Sequence, residues 1–81
     1  MKPTLIITSD GHVYSGLTPA DAVDRMREAG IFTVGKTNAE YMSGVAGRAE
    51  RLEGATIRTD SAENFLFDMA HHGLLTIGGQ R

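Results

Sequence analysis

The chain has 81 residues, no cysteine, a formal net charge of −2 and 41% hydrophobic residues. That length holds a single domain, residues 1–81, near the lower limit for a core that stands alone, and the lack of cysteine excludes disulfides and thiolate zinc sites as aids to folding. The charge argues against bulk electrostatic binding to nucleic acid and falls short of the dense negative surface of a DNA mimic, while the hydrophobic content excludes disorder.

The N-terminus, Met1-Lys2-Pro3-Thr4, runs into Leu5-Ile6-Ile7. This apolar run is too short for a signal-peptide core or a membrane span, so a cytoplasmic protein without membrane contact is expected, read as a complete small reading frame. Thr4 to Thr8 is β-branched and apolar and predicts a strand. Asp10-Gly11 reads as a two-residue hairpin turn with positive φ at both positions, returning the chain through Val13 and Tyr14 to Gly16.

Three helices follow, each with the same punctuation: Thr18-Pro-Ala-Asp21 to Gly30, Thr37-Asn-Ala-Glu40 to Gly54, and Asp60-Ser-Ala-Glu63 to Gly73. Each start places an oxygen-bearing cap with a carboxylate three residues on, and each end supplies a glycine able to close the last turn in a left-handed conformation. The first helix is predicted from Pro19 to Ala29, with Ala22, Val23, Met26 and Ala29 on its buried face. The second runs from Asn38 to Glu53, with a stripe of Tyr41, Val45, Ala49 and Leu52. Gly44 and Gly47 inside it each cost about 1 kcal/mol against Ala, which predicts another backbone packed close to that face. The third, from Ser61 to His72, places Ala62, Phe65, Leu66, Met69 and Ala70 at the spacing of a buried face. Ile31 to Val34 fits a short strand or an extended link, and Ala55 to Thr59 and Leu74 to Ile77 fit strands. The tail 78–81 reads as frayed. The pattern implies an α+β fold: an N-terminal hairpin, then helices and a strand-helix-strand unit, with a small mixed or antiparallel sheet and about three helices on one face.

The chemical signals are sparse. Gly30-Ile-Phe-Thr-Val-Gly35-Lys36-Thr37 matches the P-loop pattern at every fixed position, but a helix precedes it and its middle is apolar and β-branched. The capping roles of Gly30 and Thr37 account for the match, leaving Lys36 beside a helix start as a simple anion contact. His71 and His72 are adjacent on a helix and point about 100° apart, so they do not chelate one ion together. Ser9, Ser15, Ser43 and Ser61 lie outside any nucleophile-elbow context, and His12 is the only histidine near two of them. No metal, cofactor or catalytic set is expected.

Two charged groups remain as contact candidates. Lys36, Arg48, Arg51 and Arg58 form a modest basic patch for phosphate or an acidic protein surface, with Arg48 and Arg51 three apart on one helix face. The bland alternative is a solvated face paired with Glu50 and Glu53. Asp60, Glu63 and Asp68 make the wet side of the third helix acidic, suited to covering a basic groove. Mixed sign favours protein contacts over nucleic acid wrapping, and the long link between the first two helices does not fit a helix-turn-helix.

In size and profile the chain resembles the small stand-alone inhibitors encoded by phages and mobile elements, such as anti-CRISPR proteins. The resemblance carries over no residue. It implies a non-enzymatic binding protein that occupies a site on a larger protein or nucleoprotein complex. The alternative is a small nucleic-acid or phosphate binder using the Lys36, Arg48, Arg51 and Arg58 patch. A small core without staples also favours a homodimer.

Overall fold

The computed structural model describes residues 4–30 and 35–78. The order of elements is β1 (Thr4–Thr8), β2 (Val13–Gly16), α1 (Pro19–Glu28), α2 (Asn38–Glu53), α3 (Ala62–His71) and β3 (Leu75–Gly78). The three strands form one antiparallel sheet in the order β2-β1-β3, and with three helices this is the expected α+β fold. β1, the most apolar strand, lies at the centre rather than at an edge. Both edges belong to shorter strands, which present less unpaired backbone.

Alternation along the strands divides the sheet cleanly. Ile6 stands opposite Tyr14 and Ile77, and Thr4 opposite Gly16. This set faces α1 and α3, and Ile6 and Leu75 are buried there with Ala22, Val23, Met26, Phe65, Leu66 and Met69. Leu5 and Ile7 point the other way, opposite Ser15, Val13, Thr76 and Gly78. α1 sits so close to β2 that a Cβ built on Gly16 would lie 2.5 Å from the Ala22 amide nitrogen.

Each helix start is closed by a side-chain oxygen. The Thr18 hydroxyl accepts from the Asp21 amide at 3.1 Å, while the Asp21 carboxylate accepts from Leu17. At α2 the box is complete: Thr37 accepts from the Glu40 amide, and Glu40 accepts from the Thr37 amide at 2.9 Å. At α3 the cap is Ser61, which accepts from the Asn64 amide, and not Asp60. Asp and Ser cap almost equally well, so their relative preference does not choose between neighbours. Asp60 instead accepts from the Asn64 side chain at 3.0 Å.

Gly54 and Gly73 end α2 and α3 with φ of +69° and +75°. The bonds from Gly73 to Ala70 and from Leu74 to Met69 form a Schellman motif. α1 closes differently. Ala29 stays right-handed and exposed, its amide bonded to Arg25 at 3.2 Å, and the Gly30 amide is bonded to Arg27 at 3.3 Å. The hairpin also departs from expectation. Thr8 and His12 bond across the three-residue loop Ser9-Asp10-Gly11, and only Gly11 has a positive φ. A type I turn followed by a left-handed glycine lets Asp10 keep an ordinary conformation.

Residues 55–59 do not join the sheet, which consists of β2, β1 and β3. Ala55 and Ile57 are nonetheless buried and alternate with exposed Thr56 and Arg58, so the period that predicts a strand reports burial alone. The last strand begins at Leu75 and extends to Gly78, which pairs with Leu5 and so is not frayed. Residues 31–34 and 79–81, the expected link and the rest of the tail, lie outside the described residues.

Among the described residues, the two glycines inside α2 have no close backbone neighbour. A Cβ at Gly44 would meet only the end of Arg48, and one at Gly47 only the end of Arg51, each at 3.8 Å. Gly44→Ala and Gly47→Ala are therefore expected to stabilise by about 1 kcal/mol each. In a domain of this size that raises Tm by roughly 4–8 °C per substitution. A thermal melt of the two single variants checks it, and a fall in Tm would show a neighbour at that face.

Candidate functional site

The seven charged candidates do not form two opposed surfaces. Arg58 and Asp68, one from each group, are bonded to each other. The Arg58 amide and Nε donate to Asp68 Oδ2, and Nη2 donates to Oδ1, all at 2.9 Å. This fork ties residues 55–59 to α3, and so both residues serve the fold. The Arg58 guanidinium, with help from the Arg58 amide, holds the Asp68 carboxyl down to about 2. Asp10 is likewise lowered to about 2, first by the Thr8 hydroxyl and then by His12.

Both carboxyls titrate lower in the folded chain than the ordinary value of about 4, so the unfolded chain takes up protons first as pH falls. The stabilisation they provide is full above pH of about 4 and lost between there and about 2. Asp68→Asn is expected to flatten this part of the profile, read as urea midpoints at pH 5 and pH 3. An unchanged slope would show that the fork carries none of it.

The remaining candidates are dispersed. Lys36 is exposed just before the Thr37 cap, where Glu40 already fills the anion position. Arg48 lies ten residues into α2, about 15 Å along the axis from its start, so Lys36 and Arg48 do not share a phosphate. Arg48 and Arg51 are exposed and, among the described residues, form no ion pair, not even with Glu50 or Glu53. Asp60 is engaged with Asn64, and of the acidic group Glu63 is left on the surface.

The histidines are equally settled. His71 stacks on Phe67, with ring centroids 6.4 Å apart, and Asp68 is committed to Arg58. His12 pairs with Asp10 at 3.1 Å and stacks on Tyr14, and neither Ser9 nor Ser15 bonds to it among the described residues. No group of three or more histidine and carboxylate residues that could hold a metal lies among the described residues. No described helix is long and apolar enough to cross a membrane.

Two features escape a reading of charges and motifs. The first is the outer face of the sheet. Ile7, from the central strand, is 37% exposed and its partner Val13 is 60% exposed. Leu5 lies beside them, leaning to within 3.5 Å of where a Cβ on Gly78 would stand. Ser15 and Thr76 complete a face that carries no charge among the described residues. Its signal in the sequence is that β1 is apolar at every central position, the mark of a strand that meets something on both sides.

The second feature is a cleft of about 500 Å³ between the β1–β2 loop and α2. The expected stripe of α2 points into it. Tyr41 and Val45 are half-buried at its wall, Ala49 is buried, and Leu52 at its end is 77% exposed. α2 packs chiefly on α1, with bonds from Arg27 to Asn38 at 2.8 Å and from the Asn38 side chain to the Ala20 carbonyl at 3.4 Å, so part of its apolar face stands off from the sheet. No protein-family model, curated protein or solved structure matches this chain.

Proposed function

We propose that this is a non-enzymatic binding module that seats the outer face of its sheet on an apolar surface of a larger protein or nucleoprotein complex. The observation that carries the reading is the uncovered, uncharged patch of Leu5, Ile7 and Val13. Exposed apolar surface of this kind on a small domain marks contact sites. The absence of charge selects an apolar counterpart over phosphate, since a nucleic acid contact needs cations on the face. In size and profile the chain fits a phage-encoded inhibitor of a host defence complex, of the anti-CRISPR kind.

The test is a tagged pull-down from lysate of the source or host cell with paired variants. Val13→Lys and Thr76→Lys place a charge on the outer face at edge-strand positions that are already exposed. One assembly recovered near stoichiometry by the wild type and lost with both variants supports the reading. Recovery unchanged in those variants but lost with Arg48→Glu and Arg51→Glu would overturn it in favour of the α2 cations. Self-association alone, abolished by Val13→Lys in light scattering, would replace the larger partner with a second copy of the chain.

A further inference from the structure

We propose that the cleft between the β1–β2 loop and α2 is a binding site for a small amphiphilic anion, an apolar ring-sized body with a single anionic headgroup received by Arg48. The site lies on the helix side of the sheet and does not use the outer face, so it stands independently of the reading above.

The first support is the wall that α2 presents. Tyr41, Val45, Arg48 and Leu52 recur at i, i+4, i+7 and i+11, and all four line the cleft. Leu52 stays exposed at the end of an otherwise apolar stripe, so this wall continues past the core into open space. Met69 and Leu74 carry the apolar lining across to the sheet side. A volume of about 500 Å³ lies within the range of roughly 300–1,000 Å³ typical of small-molecule sites.

The second support is the set of polar groups that meets there. Tyr14 from β2 and Tyr41 from α2 both line the cleft. Burial, then Tyr14, pushes the Tyr41 phenol upward, and Arg48 acts on it in the opposite sense. Two hydroxyl donors and one guanidinium thus line the same cleft, and Arg48 has no ion pair among the described residues.

Two carboxylates also reach the cleft, and neither fills the Arg48 position. Asp10 is engaged by Thr8 and His12. Glu53 is five residues beyond Arg48, on the side away from Tyr41, with no bond to it. The headgroup belongs on the Tyr41 side of Arg48, with the apolar body against Val45 and Leu74. A charge-assisted contact of this kind is stronger than a neutral hydrogen bond.

Anilinonaphthalene sulfonate, an aromatic body with one sulfonate, is the probe of choice, and its uncharged parent, phenylnaphthylamine, is the control. The expected result is saturable one-site binding to the folded full chain with unchanged near-ultraviolet circular dichroism. Arg48→Gln is expected to weaken sulfonate binding roughly tenfold or more, while leaving the uncharged control unaltered. Arg51→Gln, outside the cleft lining on the same helix, should leave both unaltered, and Leu52→Asn should weaken both. Non-saturable binding, equal sulfonate affinity in Arg48→Gln and wild type, or fluorescence that appears only as the near-ultraviolet signal is lost would each overturn the proposal.

Discussion

Phe65→Ala is expected to remove about 3–5 kcal/mol of stability, the cost of deleting a large aromatic side chain from a closed core. Phe65 is fully buried in the first turns of α3 and meets the edge of Tyr41, with ring centroids 6.4 Å apart. It is among the largest side chains with no exposure, together with Ile6, Leu66 and Val23. A domain of this length has a total stability of about 4–12 kcal/mol, from roughly 0.05–0.15 kcal/mol per residue. The substitution therefore takes away between a quarter and all of it, and no disulfide is present to hold the remainder. Urea unfolding reads the loss as a lower midpoint at constant slope. A cost below about 1 kcal/mol, the size of an ordinary surface effect, would show that Phe65 is not packed as described.

Gly16→Ala is expected to be nearly as damaging, although it adds a single methyl group. The new Cβ would stand 2.5 Å from the Ala22 nitrogen, 2.7 Å from the Asp21 carbonyl carbon and 2.9 Å from the Asp21 Cβ. Two of these are backbone atoms of the first turn of α1, held by the Thr18 cap and by the Asp21 bond to Leu17, so none can swing aside as a side chain would. α1 must lift from β2, and with it the contacts of Ala22 and Val23 in the core. Overpacking of this kind costs about 1–3 kcal/mol and occasionally more, and with backbone on the receiving side the upper end is expected. At about 3 kcal/mol, Tm falls by roughly 12 °C or more. Gly78→Ala is the matched control on the same sheet. Among the described residues its Cβ would touch only Leu5 Cδ2 at 3.5 Å, an ordinary contact, and its Tm should stay near that of the wild type. Equal effects at the two glycines would show that strand propensity, not the α1 contact, sets the cost.

The candidate site was far less legible than the fold. Reading charge along the chain groups Arg58 with Arg48 and Asp68 with Glu63, because neighbours in sequence look like neighbours in space. The fork between Arg58 and Asp68 spans ten residues and a helix start, and no spacing rule for a single element anticipates it. The α2 stripe is a similar case. Its periodicity is real, but periodicity reports only that a face is apolar, not what covers it. Met42, off the expected stripe, is buried against the core, whereas Leu52, on it, is left open. The outer face of the sheet was visible in principle as the unbroken apolar run of β1, yet a run of that length is equally consistent with a strand buried on both sides.

What the sequence by itself determined are the features that close within a turn or two. The span of α2 from Asn38 to Glu53 follows from the Thr37–Glu40 box and from Gly54, bonds that reach three or four residues. The buried face of α3 follows from the spacing of Phe65, Leu66 and Met69 in the same way. Only the tertiary structure decided which strand lies at the centre, that residues 55–59 stay out of the sheet, that α1 presses on Gly16, and that α2 leaves a cleft. Each of these depends on segments distant in sequence competing for the same space, for β1 has only two edges and one inner face to share. Local bonding chooses the conformation of a segment, while the choice of its neighbours is made by packing across the whole chain.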